Sequence, residues 1–175
     1  SQLCVQGVNF ILKYVTVDNS NVTPSGGGGG NATATINLVT STNTITVNNS
    51  STGKIVGDQT TARGYASRIV AGTTRLEGKV KINADDTNTS QYWSYQLGAG
   101  NSGNDLIGEV RGDGNNTSNW RTNEEKTINL LLTDNLKQKI DAVVENSWWA
   151  GGMFTFQGHN VTLTELKLTN CLPAE

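Results

Sequence analysis

Proline, methionine, histidine and cysteine are scarce: the 175 residues contain two, one, one and two of them. A single histidine excludes the paired-histidine zinc motifs, and any Ser–His–Asp apparatus would have to run through His159. No Gly-X-Ser-X-Gly elbow is present. Cys4 and Cys171 stand near opposite ends of the chain, which is neither a zinc-ligand spacing nor a Cys-X-X-Cys redox site. Charge is also sparse. Asp, Glu, Lys and Arg make up 16%, the net charge is −2, and the 13 Lys and Arg are scattered singly. That removes the electrostatic basis for nucleic-acid binding and for a polybasic membrane patch. No apolar run approaches the roughly 20 residues needed to cross a bilayer. No signal peptide is read at Ser1, so the chain reads as a mature or excised fragment.

In place of these residues there are 23 Thr, 21 Asn and 20 Gly. Threonine suits strands, while asparagine and glycine suit turns. The composition is the opposite of a helical bundle, which is rich in Ala, Glu, Lys and Leu. The small net charge and clear apolar runs argue against disorder. The length fits one domain that buries roughly two-thirds of its unfolded surface. Short alternating or apolar runs at 9–17, 34–39, 44–47, 66–70, 75–82, 92–97, 106–111, 127–132, 153–157 and 161–168 are separated by turn clusters such as Asn48–Gly53. This pattern predicts an all-β sandwich or barrel. One helix is expected over 133–144. Thr133 or Asp134 caps it, and Leu136, Ile140 and Val143 fall on one stripe.

Residues 24–30 include five consecutive glycines, which nothing can pack. They predict a flexible connection, 24–32, between an N-terminal strand in 1–23 and the rest of one module. That N-terminal segment also takes part in a repeat. Residues 5–17 align without gaps to 156–168, sharing Gln-Gly, an Asn two positions on, a central Leu and a closing apolar pair. Pairing the two as antiparallel strands would bring Cys4 beside Cys171. A disulfide there would contribute on the order of 5 kcal/mol in the chain-entropy account. The other reading is that 1–23 is the last strand of an upstream copy. Eight Asn-X-Ser/Thr triplets, among them Asn31 and Asn160, read either as glycosylation sites or as chance in so Asn- and Thr-rich a chain. Chance is preferred, because Asn160 opens a core strand.

The stretch from Trp120 to Leu168 runs Trp, a strand, a Thr-Asp helix start, Gly151-Gly152, and then Phe-Gln-Gly-His-Asn-Val-Thr-Leu-Thr-Glu-Leu-Lys-Leu. It resembles the closing segment of jelly-roll carbohydrate-binding modules of Bacteroidetes polysaccharide-degrading enzymes and surface lipoproteins, similar to families 4, 9 and 22. The resemblance covers about fifty residues and fits 65–111 more loosely. It implies an all-β jelly roll of two antiparallel sheets, secreted or on a bacterial surface. Such a module would have no catalysis of its own and would hold a catalytic domain of the same parent chain near its polysaccharide. It speaks for the module type, not for the sugar.

Binding a neutral polysaccharide takes flat apolar faces for the pyranose rings and amides or carboxylates for the hydroxyls. Four Trp and four Tyr against three Phe put aromatics with a polar handle in the majority. Trp148 and Trp149 lie side by side before the glycine turn, so both cannot enter one core; one is expected to be a sugar platform. In 92–97 the side chains alternate. Trp93, Tyr95 and Leu97 share one face, and Tyr92 and Gln96 share the other. Leu97 points to its own face as core, which leaves Tyr92 and Gln96 for ligand; the reverse assignment stands beside it. Trp120 either contacts ligand or packs. Tyr65 and Arg68 are read as lying on middle strands, with Arg68 able to fork onto sugar hydroxyls or to stay solvated. Asp85, Asp86 and Asp113 lie in oxygen-rich loops, and similar modules often carry a structural calcium there. No other cofactor is implied. A glycosidase needs only two carboxylates, and Glu77, Glu109, Glu124 and Asp113 are available, with nothing to single out a pair. The expected function is therefore non-catalytic binding of a β-linked plant polysaccharide, xylan or another β-glycan. The alternatives are a small jelly-roll hydrolase or lyase and an adhesive surface domain.

Overall fold

A computed structural model describes residues 33–48, 51–84, 93–100, 105–110, 122–146 and 152–174. It contains β1 (Ala34–Val39), β2 (Ile45–Val47), β3 (Ser51–Ile55), α1 (Gln59–Ala66), β4 (Arg75–Ile82), β5 (Trp93–Ala99), β6 (Asp105–Val110), β7 (Glu125–Leu131), α2 (Asp134–Glu145), β8 (Phe154–Gly158) and β9 (Val161–Cys171). The strands form two antiparallel sheets. The first runs β1-β9-β4-β7, with β2 also on β9, and the second runs β3-β8-β5-β6. One hydrophobic core takes residues from both sheets, including Leu76, Val80, Ile128, Leu163 and Leu168 from the first and Tyr95, Leu97, Phe154 and Phe156 from the second. Among the described residues no helix is long and apolar enough to cross a membrane.

Period-two alternation accounts for β4. Leu76, Val80 and Ile82 are buried, while Arg75, Glu77, Lys79 and Lys81 lie on the outer face. Strand β9 breaks this period, since its apolar residues fall at 161, 163, 166 and 168. A bulge absorbs the mismatch: Lys79 pairs with Glu165 and Val80 with Leu163, leaving Thr164 over. Both apolar pairs thus face the core. The Thr164 hydroxyl donates to the Lys79 carbonyl at 3.2 Å.

The repeat segment 156–168 is not one strand. Residues 156–158 end β8 in the second sheet, His159 and Asn160 make the crossing, and β9 begins in the first sheet. Asn160 takes a left-handed φ of 52°, a conformation that asparagine tolerates. Strand β9 is bonded on one side to β1 and β2 and on the other to β4. Both edges of β9 are thus taken by described strands, where an antiparallel pairing with 5–17 was expected. Residues 5–17 and Cys4 lie outside the described residues. Cys171 is fully buried at the end of β9, opposite Ala34.

The strand expected at 66–70 is instead the end of α1 and the turn after it, and the Ser51–Ile55 segment expected as turn is β3. Helix α2 starts where its cap predicts, with the Thr133 side chain accepting from the Leu136 N–H. Helix α1 is capped by Asp58, whose Oδ2 accepts from the Thr61 N–H at 2.7 Å. The two helices pack together: Gln59 Nε2 and Arg63 Nε both donate at 3.1 Å to the Val144 carbonyl near the end of α2.

The Thr61 backbone bond holds the Asp58 carboxyl below its ordinary value of 3.8. A carboxyl whose folded-state pKa is lowered stabilises fully above its ordinary value, and the effect is lost as pH falls through the folded value. Asp58→Asn keeps a cap acceptor but cannot titrate. Chemical denaturation followed from neutral to strongly acid pH is expected to show a shallower loss for Asp58→Asn than for the parent. Parallel curves would remove Asp58 from the acid response.

Candidate functional site

Of the sequence-predicted site residues, Tyr92, Trp120, Trp148 and Trp149 lie outside the described residues, and Trp93 is described only by its backbone at the start of β5. Asp85, Asp86 and Asp113 also lie outside them. Among the described residues no group of three or more His, Cys, Asp or Glu is placed to hold a metal ion.

Tyr95 is corrected. It is fully buried, and its ring centroid lies 6.0 Å from that of Phe156 at a tilt of 39°. A ring packed in this way is part of the core and offers no face to a sugar. The Leu97 side of β5 is thus the core side. Gln96, half-buried, lies on the other face, in register with Gln157 of β8. The two amides sit directly opposite each other. Gln157 was missed as a polar site residue because it was read as part of the repeat shared by 5–17 and 156–168.

Tyr65 and Arg68 are brought together, though by a helix rather than by strands. Ala62 and Ala66 are the buried side of α1, and Tyr65 is half-buried beside them. The helix then ends tightly. The Ser67 N–H bonds the Arg63 carbonyl (2.9 Å), Arg68 N–H the Tyr65 carbonyl (3.1 Å) and Ile69 N–H the Ala66 carbonyl (3.1 Å). The Ser67 hydroxyl donates to the Gly64 carbonyl at 2.9 Å. The last four carbonyls of α1 are thereby occupied.

Arg68 ties this turn to the segment after β9. The Leu172 N–H donates to the Arg68 carbonyl at 2.9 Å, and Arg68 Nε donates to the Leu172 carbonyl at 2.7 Å. Below the clip, buried Thr74 accepts from the Val70 N–H at 2.8 Å and donates to the Asn170 carbonyl at 3.0 Å. Burial pushes the Cys171 thiol up, an effect partly offset by Thr74 and the Arg68 charge. That direction is away from the thiolate that a cysteine nucleophile uses.

Between α1 and residues 172–174 lies a cleft of about 540 Å³, lined by Thr61, Gly64, Tyr65, Ser67 and Arg68 on one side and Leu172, Pro173 and Ala174 on the other. At Gly64 nothing lies within 4 Å of where a Cβ would stand, so that wall is open. Among the described residues the lining offers an amphipathic ring, hydroxyls, a cation and apolar tail residues, with no carboxylate. Sequence reasoning missed Thr61, Ser67 and the tail, because no local pattern joins residues a hundred positions apart.

The carboxylate candidates gather elsewhere. A depression of about 290 Å³ on the outer face of β4, β7 and β9 is lined by Glu77 and Glu165 together with Lys79, Lys167, Thr127 and Asn129. Lys167 Nζ lies 2.9 Å from Glu165 and holds that carboxyl below the usual range. Lys79 pairs with Glu125 at 3.5 Å, and Arg75 Nε donates to Asn129 at 2.7 Å. Opposite charges alternate across the strands and satisfy one another. Glu124 likewise pairs with Lys126 at 2.6 Å, and Glu109 is described only by its backbone. Compared with known protein families, characterised proteins and solved structures, the chain matches none.

Proposed function

We propose that this chain is a non-catalytic carbohydrate-binding module of the jelly-roll type, and that it holds a β-linked plant cell-wall polysaccharide near an attached hydrolase. The observation that carries the reading is the cleft between α1 and residues 172–174. Among the described residues it combines the half-buried Tyr65 ring, hydroxyls and a guanidinium with no carboxylate in its lining. Those are groups that bind a sugar without cleaving it, since glycoside hydrolysis takes a pair of carboxyls flanking the bond. The strand order supports the jelly-roll assignment. Strands β1, β4, β7 and β9 fall in one sheet and β3, β5, β6 and β8 in the other, so the chain passes repeatedly between layers.

A hydrolase reading would draw on Glu77 and Glu165. A general acid needs its pKa raised, whereas Lys167 lowers that of Glu165. Holding a catalytic domain near its substrate works through effective concentration, so modest affinity suffices.

Affinity electrophoresis across soluble xylan, β-glucan, xyloglucan, mannan and pectin tests the proposal. Retardation by one of them is expected. Tyr65→Ala should weaken it about fivefold, the loss of one stacking contact of about 1 kcal/mol. A folded protein retarded by none of these polymers would overturn the reading.

A further inference from the structure

We infer that the ligand of the α1 cleft carries a carboxylate, so that the cleft recognises a uronic-acid-bearing glycan rather than a wholly neutral one. The inference rests on the binding-module reading and concerns the same cleft.

Among the described residues, Lys79, Lys126, Lys137 and Lys167 each sit in an ion pair with a carboxylate. Arg68 does not. It is half-buried, its side-chain hydrogen bond runs from Nε to a backbone carbonyl, and the described residues of the cleft lining supply no acid. A guanidinium is planar and always charged. Once Nε is committed to Leu172, the two terminal nitrogens remain as a fork whose spacing matches the two oxygens of a carboxylate. The reciprocal bonds between Arg68 and Leu172 fix that fork before any ligand arrives, so little ordering is left for the binding step.

The surroundings oppose an anion less than a bare helix end would. A helix C-terminus normally presents bare carbonyls that repel negative charge. Here the carbonyls of Arg63, Gly64, Tyr65 and Ala66 are all bonded within the turn. The Ser67 and Thr61 side chains stand in the same lining for the sugar hydroxyls, and Tyr65 provides the apolar face for the ring. A neutral chain laid over this cleft would cover the guanidinium and leave its charge unpaired, which is costly; a uronate would pair it. The same side chain therefore attracts one class of glycan and penalises the other.

Calorimetric titration with glucuronoxylan, and with the same polymer after its uronate carboxyls are reduced to alcohols, tests this without altering the protein. The parent is expected to bind the acidic polymer at least about tenfold more tightly, the size of a charge-assisted hydrogen-bonded contact. The difference should shrink with added salt. Arg68→Gln should abolish the difference, weakening binding of the acidic polymer and relieving the reduced polymer of the covered, unpaired charge. Equal binding of the two polymers by the parent overturns the carboxylate assignment and leaves the binding-module reading standing. Binding of neither, nor of any neutral polysaccharide, overturns both. Polyaspartate binding as tight as that of the acidic polymer overturns the glycan assignment. If Arg68→Gln unfolds through loss of its tether to Leu172, the comparison of the two polymers on the parent still decides.

Discussion

Phe156→Ala is expected to lower stability by about 4 kcal/mol, in the range measured for large-to-small changes at buried aromatics. Phe156 lies midway along β8, bonded to Gly53 of β3 on one side and Leu97 of β5 on the other. It is fully buried, and its ring packs against Tyr95. Truncation opens a cavity between the sheets that backbone ladders on both flanks prevent from collapsing. For a chain of this size the loss corresponds to a fall of roughly 10 °C in Tm. Phe156→Leu fills most of the space and should cost only about 1 kcal/mol. Thermal melts followed by circular dichroism, with urea titrations to confirm an unchanged slope, measure both. A loss below about 1 kcal/mol for the alanine variant would mean that Phe156 is not part of the shared core.

Gly78→Ala has the second-largest expected effect, about 2–3 kcal/mol, with Gly78→Val costing more. Gly78 is the inward-facing centre of β4, between Ile128 of β7 and Leu166 of β9. A Cβ there would run into the backbone carbonyl of Glu165, beside the bulge, and would meet Leu166 Cδ1 at 3.0 Å. A backbone carbonyl cannot rotate aside as a side-chain tip can, so the ladder between β4 and β9 must spread. Gly57→Ala is the control: nothing lies within 4 Å of its added Cβ, and its stability should stay within about 0.5 kcal/mol of the parent. Paired urea midpoints for the two variants make the comparison. Equal tolerance at both positions would contradict the close approach of β4 and β9.

Strands whose alternation is unbroken were legible. Ala34–Val39 and Arg75–Ile82 have the limits that period two assigns them. Ser51–Ile55 was not, because Ser-Thr-Gly-Lys has no apolar alternation to read. Among the described strands it is paired with β8 alone. Helix α1 was hidden by Thr60, Thr61 and Gly64, all weak helix formers. It forms because Asp58 caps it, Ala62 and Ala66 are buried, and Gln59 and Arg63 bond to the end of α2. Asp58 ahead of apolar positions 62, 65, 66 and 69 was the available signal. The fault at the repeat has a similar cause. Gly-His-Asn looks like a local irregularity in one strand, and only the second sheet makes it a crossing. Tyr65 and Arg68 were legible as residue types suited to a sugar. Their setting was not, because the contact that shapes the cleft joins Arg68 to Leu172 across 104 positions.

The places of β8 and β9 bear on how the protein is made. Each holds a central place in its sheet, and both come after every other strand along the chain. A growing polypeptide that stops short of Phe154 can still pair β4 with β7 and β5 with β6, but it has nothing to join β1 to β4 or β3 to β5. Neither layer closes until these last strands have left the ribosome, and pairings as distant as Ala34 with Cys171 then form late and slowly. Until that moment neither layer is complete, so a product that stops before Phe154 would expose unpaired strand edges to proteases.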